Sequence, residues 1–391
     1  MQCHLPQRTL ALKLATLVAT SRRVAATRSR REKIALLAEL FAGASRDEVE
    51  LAAAYLCGVV PQEKLGVGWA ALQAASPEMA ESGSIAGPGE PETLFTAASA
   101  AKAHPDGAEA SGSGVELAEL DAVLERIARS TGKGSAEGRR RLLRELLARL
   151  GEDERHFLFG LVMGELRQGA LEALVIEAVA QAAGLPVADV RRAVMLSGSL
   201  PPVARAALSD GAEGLARFAV QLFRPVLPML AGSAETAVEA LAELGRAALE
   251  WKLDGARVQI HKAGDDVRVY SRRLNEVTAA VPEVADAVRR LPARELILEG
   301  EAIALRPDGT PHPFQTTMTR FGRRLEVERV RATVPLTLFL FDLLYLDGAS
   351  LLEEPLERRA TRLAGCVPAS LVVPRLVTES AEAADRFLAE T

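Results

Sequence analysis

The residues best suited to do chemistry lie together in Glu250-Trp-Lys252-Leu-Asp254-Gly255-Ala-Arg257-Val-Gln-Ile260. A lysine attacks an electrophile only as the neutral amine, so a nucleophilic Lys252 wants a partly desolvated setting and cationic neighbours. Trp251 and Leu253 are the apolar residues that could wall it in. Gly255 permits a tight turn beside a phosphate, and Arg257 carries a fork that can clamp a phosphate or the nearby backbone. Taken alone, Lys-x-Asp-Gly also fits a surface turn with an exposed lysine. Further along, Val267 to Arg272 alternates as a strand and ends in Ser271-Arg272. Leu296 to Leu305 is an apolar strand interrupted by Glu299 and Glu301. Buried carboxylates are costly without partners, so this pair calls for a metal, a ribose hydroxyl or an arginine nearby. Leu336 to Leu346 is almost continuously apolar, the pattern of a central strand, and Asp342 within it needs a partner.

These strands must be held by something, and the composition divides the chain. Residues 1 to about 72 read as helices, and residues of about 73–114, rich in Ala, Ser, Gly, Pro and Glu, read as a flexible linker. Helical pattern resumes near Val115 and runs to about Arg217, and strands begin after Arg224. The expected organisation is a helical domain over 1–217 and a strand-rich domain over 218–391, a multidomain α and α+β chain. The net charge of -5 does not announce a partner, but Arg28, Arg30, Arg31 and Lys33 form one basic cluster and Arg139, Arg140, Arg141 and Arg144 another. Cys3, Cys57 and Cys366 are scattered without paired spacing, which argues against a disulfide framework or a zinc site and for a reducing, cytoplasmic setting. No apolar run reaches the roughly 18–20 residues that span a bilayer, and the stretch from Leu10 to Val18 reads as a first helix, not a signal peptide.

The two helical segments match when one is shifted by 106 positions: Leu36-Leu-Ala-Glu-Leu40 falls on Leu142-Leu-Arg-Glu-Leu146, Asp47-Glu48 on Asp153-Glu154 and Gly58 on Gly164. An ungapped internal duplication is the expectation. Each copy opens on a basic, hydroxyl-bearing stretch, Thr27-Arg28-Ser29 in one and Thr131-Gly-Lys133-Gly-Ser135 leading to Arg139 in the other. At helix N-termini such stretches hold phosphates through free N–H groups, a hydroxyl and a cation, and two of them could straddle a minor groove without reading sequence. Ordinary N-caps followed by a solvated charged face are the alternative.

In this order and spacing the motifs resemble those of the covalent nucleotidyltransferases, and of ATP-dependent DNA ligases in particular. Lys252-Leu-Asp-Gly255 resembles the nucleophile motif, Ser271-Arg272 the next, Glu299-Gly-Glu301 the acidic motif and Phe339-Leu-Phe341-Asp the adenine-stacking strand. Phe314-Gln315 followed by Arg320, and Arg224-Pro-Val-Leu-Pro-Met229, are similar to segments of DNA ligases, as is Gly164-Glu-Leu-Arg167-Gln-Gly with its "LRxG" pattern. The likeness covers nearly all of the chain but the linker and is nearest to the bacterial type called DNA ligase B. It implies a helical DNA-binding domain followed by a nucleotidyltransferase domain of antiparallel, ATP-grasp-like sheets. It further implies that Lys252 takes AMP from ATP as a lysyl-AMP, passes it to the 5′-phosphate of nicked double-stranded DNA, and leaves the 3′-hydroxyl to displace it. Glu250 would read the adenine amino group and Phe341 stack on the ring. Arg257 and Arg272 would hold phosphates or sugar, Glu301 ribose or Mg²⁺, and Arg320 would orient the nucleotide. Arg28, Ser29, Lys133, Ser135, Arg139 and Arg167 would contact DNA, and the expected state is a monomer.

The family also carries a Glu-Gly-x-x-x-Lys motif, a Lys-x-Lys strand and an OB-fold beyond the adenine-stacking strand, and residues 1–391 do not contain them. The expectation is a chain cut short of its last catalytic motifs, which binds DNA weakly and seals nicks poorly. A ligase remnant that only binds DNA, and an RNA ligase or capping-type enzyme, are the competing readings.

Overall fold

The computed structural model describes residues 11–62, 65–75, 113–132, 134–166, 172–229, 231–322 and 325–389. They form two compact units, one of 1–194 with 199–218 and the other of 195–198 with 219–391. Most of the expected linker, together with Lys133 and Arg167, lies outside the described residues. Among the described residues no helix is long and apolar enough to cross a membrane.

The first unit is helical: α1 (Leu14–Ala26), α2 (Arg30–Gly43), α3 (Arg46–Leu56), α4 (Trp69–Ala75), α5 (Leu117–Arg129), α6 (Ser135–Arg149), α7 (Glu152–Met163), α8 (Glu172–Ala183), α9 (Val187–Ser197) and α10 (Leu200–Ala216). Its packing is reciprocal: α1 lies on α7 and α5 on α3, while α2 lies on α8 and α6 on α4. Where the halves meet, Leu14 N–H donates to the Val115 carbonyl at 2.8 Å and Leu117 N–H to the Leu12 carbonyl at 2.9 Å. Local hydrogen bonds recur 106 residues apart. Glu48 accepts from Ser45 N–H at 2.8 Å and Glu154 from Gly151 N–H at 2.7 Å. The chain then turns at Gly58 and Gly164, with φ of +73° and +71°, values that favour glycine because a Cβ would crowd the backbone. Both glutamates are buried, and further donors, Leu12 N–H for one and Ser113 Oγ for the other, offset the lost hydration. Burial pushes the Glu48 carboxyl up, but the Ser45 and Leu12 hydrogen bonds outweigh it and hold it below the usual carboxylate range. The 106-residue shift is not ungapped throughout. Helices α1 and α5, each 13 residues long, start at Leu14 and Leu117, 103 residues apart, so the turn between first and second helices is longer in the second half.

The second unit begins with a helix that the strand pattern does not anticipate, α11 (Ala237–Leu244). There follow β1 (Ala247–Glu250), β2 (Ala256–Ala263), β3 (Asp266–Ser271), α12 (Pro282–Arg289), β4 (Glu295–Ala304), α13 (Phe314–Phe321), α14 (Val327–Thr333), β5 (Leu336–Leu346), β6 (Ala349–Ser350), α15 (Leu356–Cys366), β7 (Arg375–Thr378) and α16 (Ala381–Ala389). Five strands form an antiparallel sheet in the order β3-β2-β4-β5-β6, and β1 pairs with β7 in a separate antiparallel ribbon. The middle strand is therefore β4, not the more apolar β5, whose outer edge meets the two-residue β6 and, through the Leu340 carbonyl, the Val373 N–H. Alternation sorts the five-stranded sheet into two faces. Val258, Ile260, Leu296, Leu298, Ala302, Leu338 and Leu340 pack with Val284 and Val288 of α12 and Leu363 of α15 as the core. The intervening residues, Arg257, Gln259 and His261 on β2, Glu299 and Glu301 on β4, and Phe339 and Phe341 on β5, share the opposite face.

Buried polar residues on that second face anchor the segment leading into the unit. His261 Nδ1 accepts from Phe223 N–H at 2.8 Å, and Tyr270 OH donates to the Phe223 carbonyl at 2.9 Å. These bonds hold Phe223 at φ +66°, a conformation costing about 1 kcal/mol or more in a bulky residue. Gln259 holds Val226 with both ends of its amide, accepting from its N–H at 2.8 Å and donating to its carbonyl at 3.1 Å.

Burial drives the His261 pKa down from 6.5 to about 4. Between those values an unfolded chain takes up a proton that the folded one refuses. The stability His261 contributes is therefore complete above pH 6.5 and declines as the pH falls towards 4, by about 3 kcal/mol in all. Urea midpoints at pH 7 and pH 5 should fall more steeply for the parent than for a His261→Asn variant. Parallel losses in the two proteins would remove His261 from the explanation.

Candidate active site

Strand register brings the candidate residues together. Arg257 lies opposite Glu301 and Gln259 opposite Glu299 on the β2–β4 pair, and Glu301 lies opposite Phe339 on the β4–β5 pair. The two carboxylates differ in circumstance. Glu299 is buried, bonded to the Arg257 guanidinium and accepting from Gln259 Nε2 at 3.0 Å. It is thus an arginine-paired carboxylate whose partner Arg257 is carried over the Phe341 ring, 5.5 Å from its centroid. Glu301 accepts from Gly255 N–H at 3.1 Å. Burial pushes its carboxyl up to about 7, against the pull of the Gly255 bond and the charges of Arg257 and Lys252, while Asp254 adds to the rise. Lys252 and Asp254 thus lie within electrostatic reach of Glu301.

Gly255 is required where it stands. A Cβ there would lie 2.6 Å from the Ala302 carbonyl oxygen and 3.0 Å from Glu301 Cγ, so any side chain would push the Lys-x-Asp-Gly turn off β4. Lys252 itself is exposed, with Trp251 and Leu253 half-buried on either side. The apolar enclosure expected from its neighbours therefore leaves Lys252 open to solvent.

Arg272 is exposed just past β3 and shares with Arg257, Gln259, Ser271, Val226 and Glu299 the lining of a shallow, open hollow. Glu250, at the end of β1, is ion-paired with Arg375. Asp342 receives both arms of Arg359, at 2.8 and 3.0 Å.

Arg320 is placed otherwise than expected. Its side chain is 1% exposed, paired with Glu283 of α12 at 2.7 and 3.0 Å and bonded to the carbonyls of Val334 and Ala280. Helix α13 turns it into the interior as a brace, and its donors are spent there instead of on a nucleotide.

In the helical unit, Arg28 is exposed and Ser29 caps α2, its hydroxyl accepting from Glu32 N–H at 3.3 Å. Ser135 opens α6 after Gly134, whose φ is +86°. Arg139, expected at a phosphate, donates to the Ser130 carbonyl at 2.8 Å and lies against Gly66, which ties the preceding turn to its helix. Among the described residues no three His, Cys, Asp or Glu side chains cluster so as to hold a metal ion.

Sequence pattern alone does not single out Gln259, His261 or Arg375. The polar alternation of positions 257, 259 and 261 against apolar 258 and 260 is the signal for the first two. Nothing local marks Arg375, whose role rests on pairing between distant strands.

Comparison with known proteins agrees with this architecture. The family description "DNA ligase N terminus" matches residues 13–180, and "ATP dependent DNA ligase domain" matches residues 228–391. The solved structure Pmar-Lig_PreS3 shares the fold, with a TM-score of 0.50 at 14% identity over 96% of this chain and 70% of that one. A helical region followed by a nucleotidyltransferase-like domain of antiparallel sheets is thus the class of the fold. A probable DNA ligase of Anaeromyxobacter dehalogenans strain 2CP-C is 52% identical over 376 residues, which are 96% of this chain and 68% of that protein. One from Sorangium cellulosum strain So ce56 is 46% identical over 377 residues, 96% of this chain and 65% of that protein. The chain belongs to the ATP-dependent DNA ligase family.

Proposed function

We propose that this chain carries the AMP-transferring chemistry of nick sealing, with residues 1–217 binding DNA and 218–391 forming the adenylating domain. The observation that carries the proposal is the sheet face on which Glu301 lies within electrostatic reach of Lys252 while Arg257 covers Phe341. In the first step the Lys252 amine forms a bond to the α-phosphorus of ATP as the bond to the bridging oxygen breaks. Pyrophosphate leaves with the electron pair, and the nitrogen sheds its proton to solvent. The AMP then passes to the 5′-phosphate of a nick, freeing the lysine, and the 3′-hydroxyl displaces AMP to close the phosphodiester. All three are in-line displacements at phosphorus, governed mainly by positioning and charge neutralisation.

Phe341 stacks on the adenine and Glu250 accepts from its amino group. Arg257 and Arg272, which share one hollow, hold phosphate or sugar oxygens. Glu301 and Asp254, whose charges interact, are hard-oxygen donors that would hold Mg²⁺. Bound there, Mg²⁺ would supply charge neutralisation to the phosphates. Arg28 and Ser29, with Ser135, are the described candidates for backbone phosphate contacts on DNA, the chain acting as a cytoplasmic monomer.

The reading is tested on the polypeptide of residues 1–391. The deciding experiment offers it, with ATP and Mg²⁺, 5′-labelled nicked duplexes of DNA and of RNA and follows adenylated and sealed strands. Adenylated or sealed DNA, and not RNA, supports the proposal. Reaction on RNA alone would make it an RNA ligase, and DNA binding without covalent chemistry would leave a ligase remnant.

A further inference from the structure

Glu250 and Phe341 stand on different sheets, and Arg375 joins them. Glu250 ends β1 and faces Arg375 in register across the two-stranded ribbon, whereas Phe341 belongs to β5 of the five-stranded sheet. The Arg375 Nε donates to Glu250 Oε1 at 2.6 Å, and Nη2 reaches the same oxygen. Nη2 also donates to the Phe341 carbonyl oxygen at 2.8 Å. Backbone bonds on both sides secure this crossing: Val373 N–H donates to the Leu340 carbonyl at 2.9 Å, and Trp251 N–H to the Pro374 carbonyl at 3.3 Å. The Arg375 side chain is 13% exposed, too enclosed to swing freely.

We infer that Arg375 is a positioning residue for base selection, holding Glu250 as an oriented hydrogen-bond acceptor beside the ring of Phe341. This rests on the reading of Glu250 and Phe341 as the base-contacting pair. A carboxylate can only accept. It therefore welcomes the 6-amino group of adenine and repels the 6-oxo group of a purine such as hypoxanthine. That discrimination needs the carboxylate in one place. Both Arg375 contacts fall on Oε1, which leaves Oε2 as the acceptor. The two guanidinium contacts fix the position of Oε1, and the third bond ties that oxygen to the strand carrying the stacking ring. Without the fork, Glu250 is a lone side chain at a ribbon end, able to turn away from a 6-oxo group instead of repelling it. A brace with no part in selection would weaken every nucleotide alike.

The test is calorimetric binding of ATP and of inosine triphosphate to the whole chain in EDTA, where no covalent transfer intervenes. The parent should favour ATP by about tenfold or more, the worth of one well-placed hydrogen bond to a charged group set against a repulsion. Arg375→Gln should bind ATP about tenfold more weakly and shrink the preference to within about threefold. Arg375→Lys, which keeps the charge but cannot span Glu250 and the Phe341 carbonyl together, should fold if the glutamine variant does not and should lose most of the preference. Equal weakening for the two nucleotides, or an unchanged ratio in both variants, would overturn the role of Arg375 and leave the base-contacting pair standing. A parent that binds ATP no better than inosine triphosphate would overturn the reading of Glu250 itself.

Discussion

Covalent label from ATP marked at the α-phosphate is expected on the denatured chain and is expected to fall to background in Lys252→Ala. The second unit, from residue 219 onward, contains two lysines, Lys252 and Lys262. Lys262 is buried, its ammonium donating to the Arg289 carbonyl at 3.2 Å and to the Leu291 carbonyl, where it closes the end of α12. A phosphorus centre cannot approach it. Lys252 is exposed, stands two residues after Glu250, and precedes the Gly255 turn bonded to Glu301. Lys252→Arg keeps the positive charge and length but cannot yield a labile phosphoramidate, so it separates loss of nucleophile from loss of charge. Both variants should retain the parent's unfolding midpoint, because an exposed side chain away from caps and pairs contributes within about 0.5 kcal/mol. Label that survives in both, mapped to another residue, would dismantle the proposed chemistry. The electrostatic surroundings also set a direction for Glu301→Gln. The glutamine keeps a carbonyl oxygen that accepts from Gly255 N–H but removes the carboxylate proposed to hold Mg²⁺, so labelling should weaken without vanishing.

Replacing Arg320 should cost stability, by about 3–5 kcal/mol, because removal of one partner from a buried ion pair strands the other charge. Its guanidinium joins α13 to three other points of the chain. It pairs with Glu283 of α12, accepts no solvent at 1% exposure, and donates to carbonyls at Ala280 and Val334. Glu283 in turn accepts from Leu336 N–H at 3.1 Å at the start of β5. In Arg320→Met the volume is roughly kept, yet Glu283, with its side chain 12% exposed, loses its countercharge. Denaturant midpoints measure this directly. The double variant Arg320→Met with Glu283→Gln should recover part of the loss, since it no longer buries an unpaired charge. Unchanged stability in Arg320→Met, with ATP binding weakened, would return Arg320 to the nucleotide and reverse the assignment made from its burial.

Both experiments turn on the same division. The order of motifs, the boundaries of β4 and β5 to within a residue or so, the helical first half and the family itself were legible from local pattern. Hydrophobic periodicity and a reactive lysine beside a glycine are properties of short segments, and they survive in a string of letters. The recurrence of capping glutamates and left-handed glycines 106 residues apart was legible for the same reason, though its gap before α2 was not, because turn length leaves no hydrophobic signature. Only the tertiary structure assigned partners. It gave Arg257 to Glu299, Arg359 to Asp342 and Arg375 to Glu250, separated by 42, 17 and 125 positions, and it put Arg320 in the interior although its motif suggested a ligand. An arginine looks alike in sequence whether it braces a core or grips a phosphate. Which it does depends on the carboxylate that strand register delivers to it and on whether water can still reach it, and both are decided by contacts between distant segments.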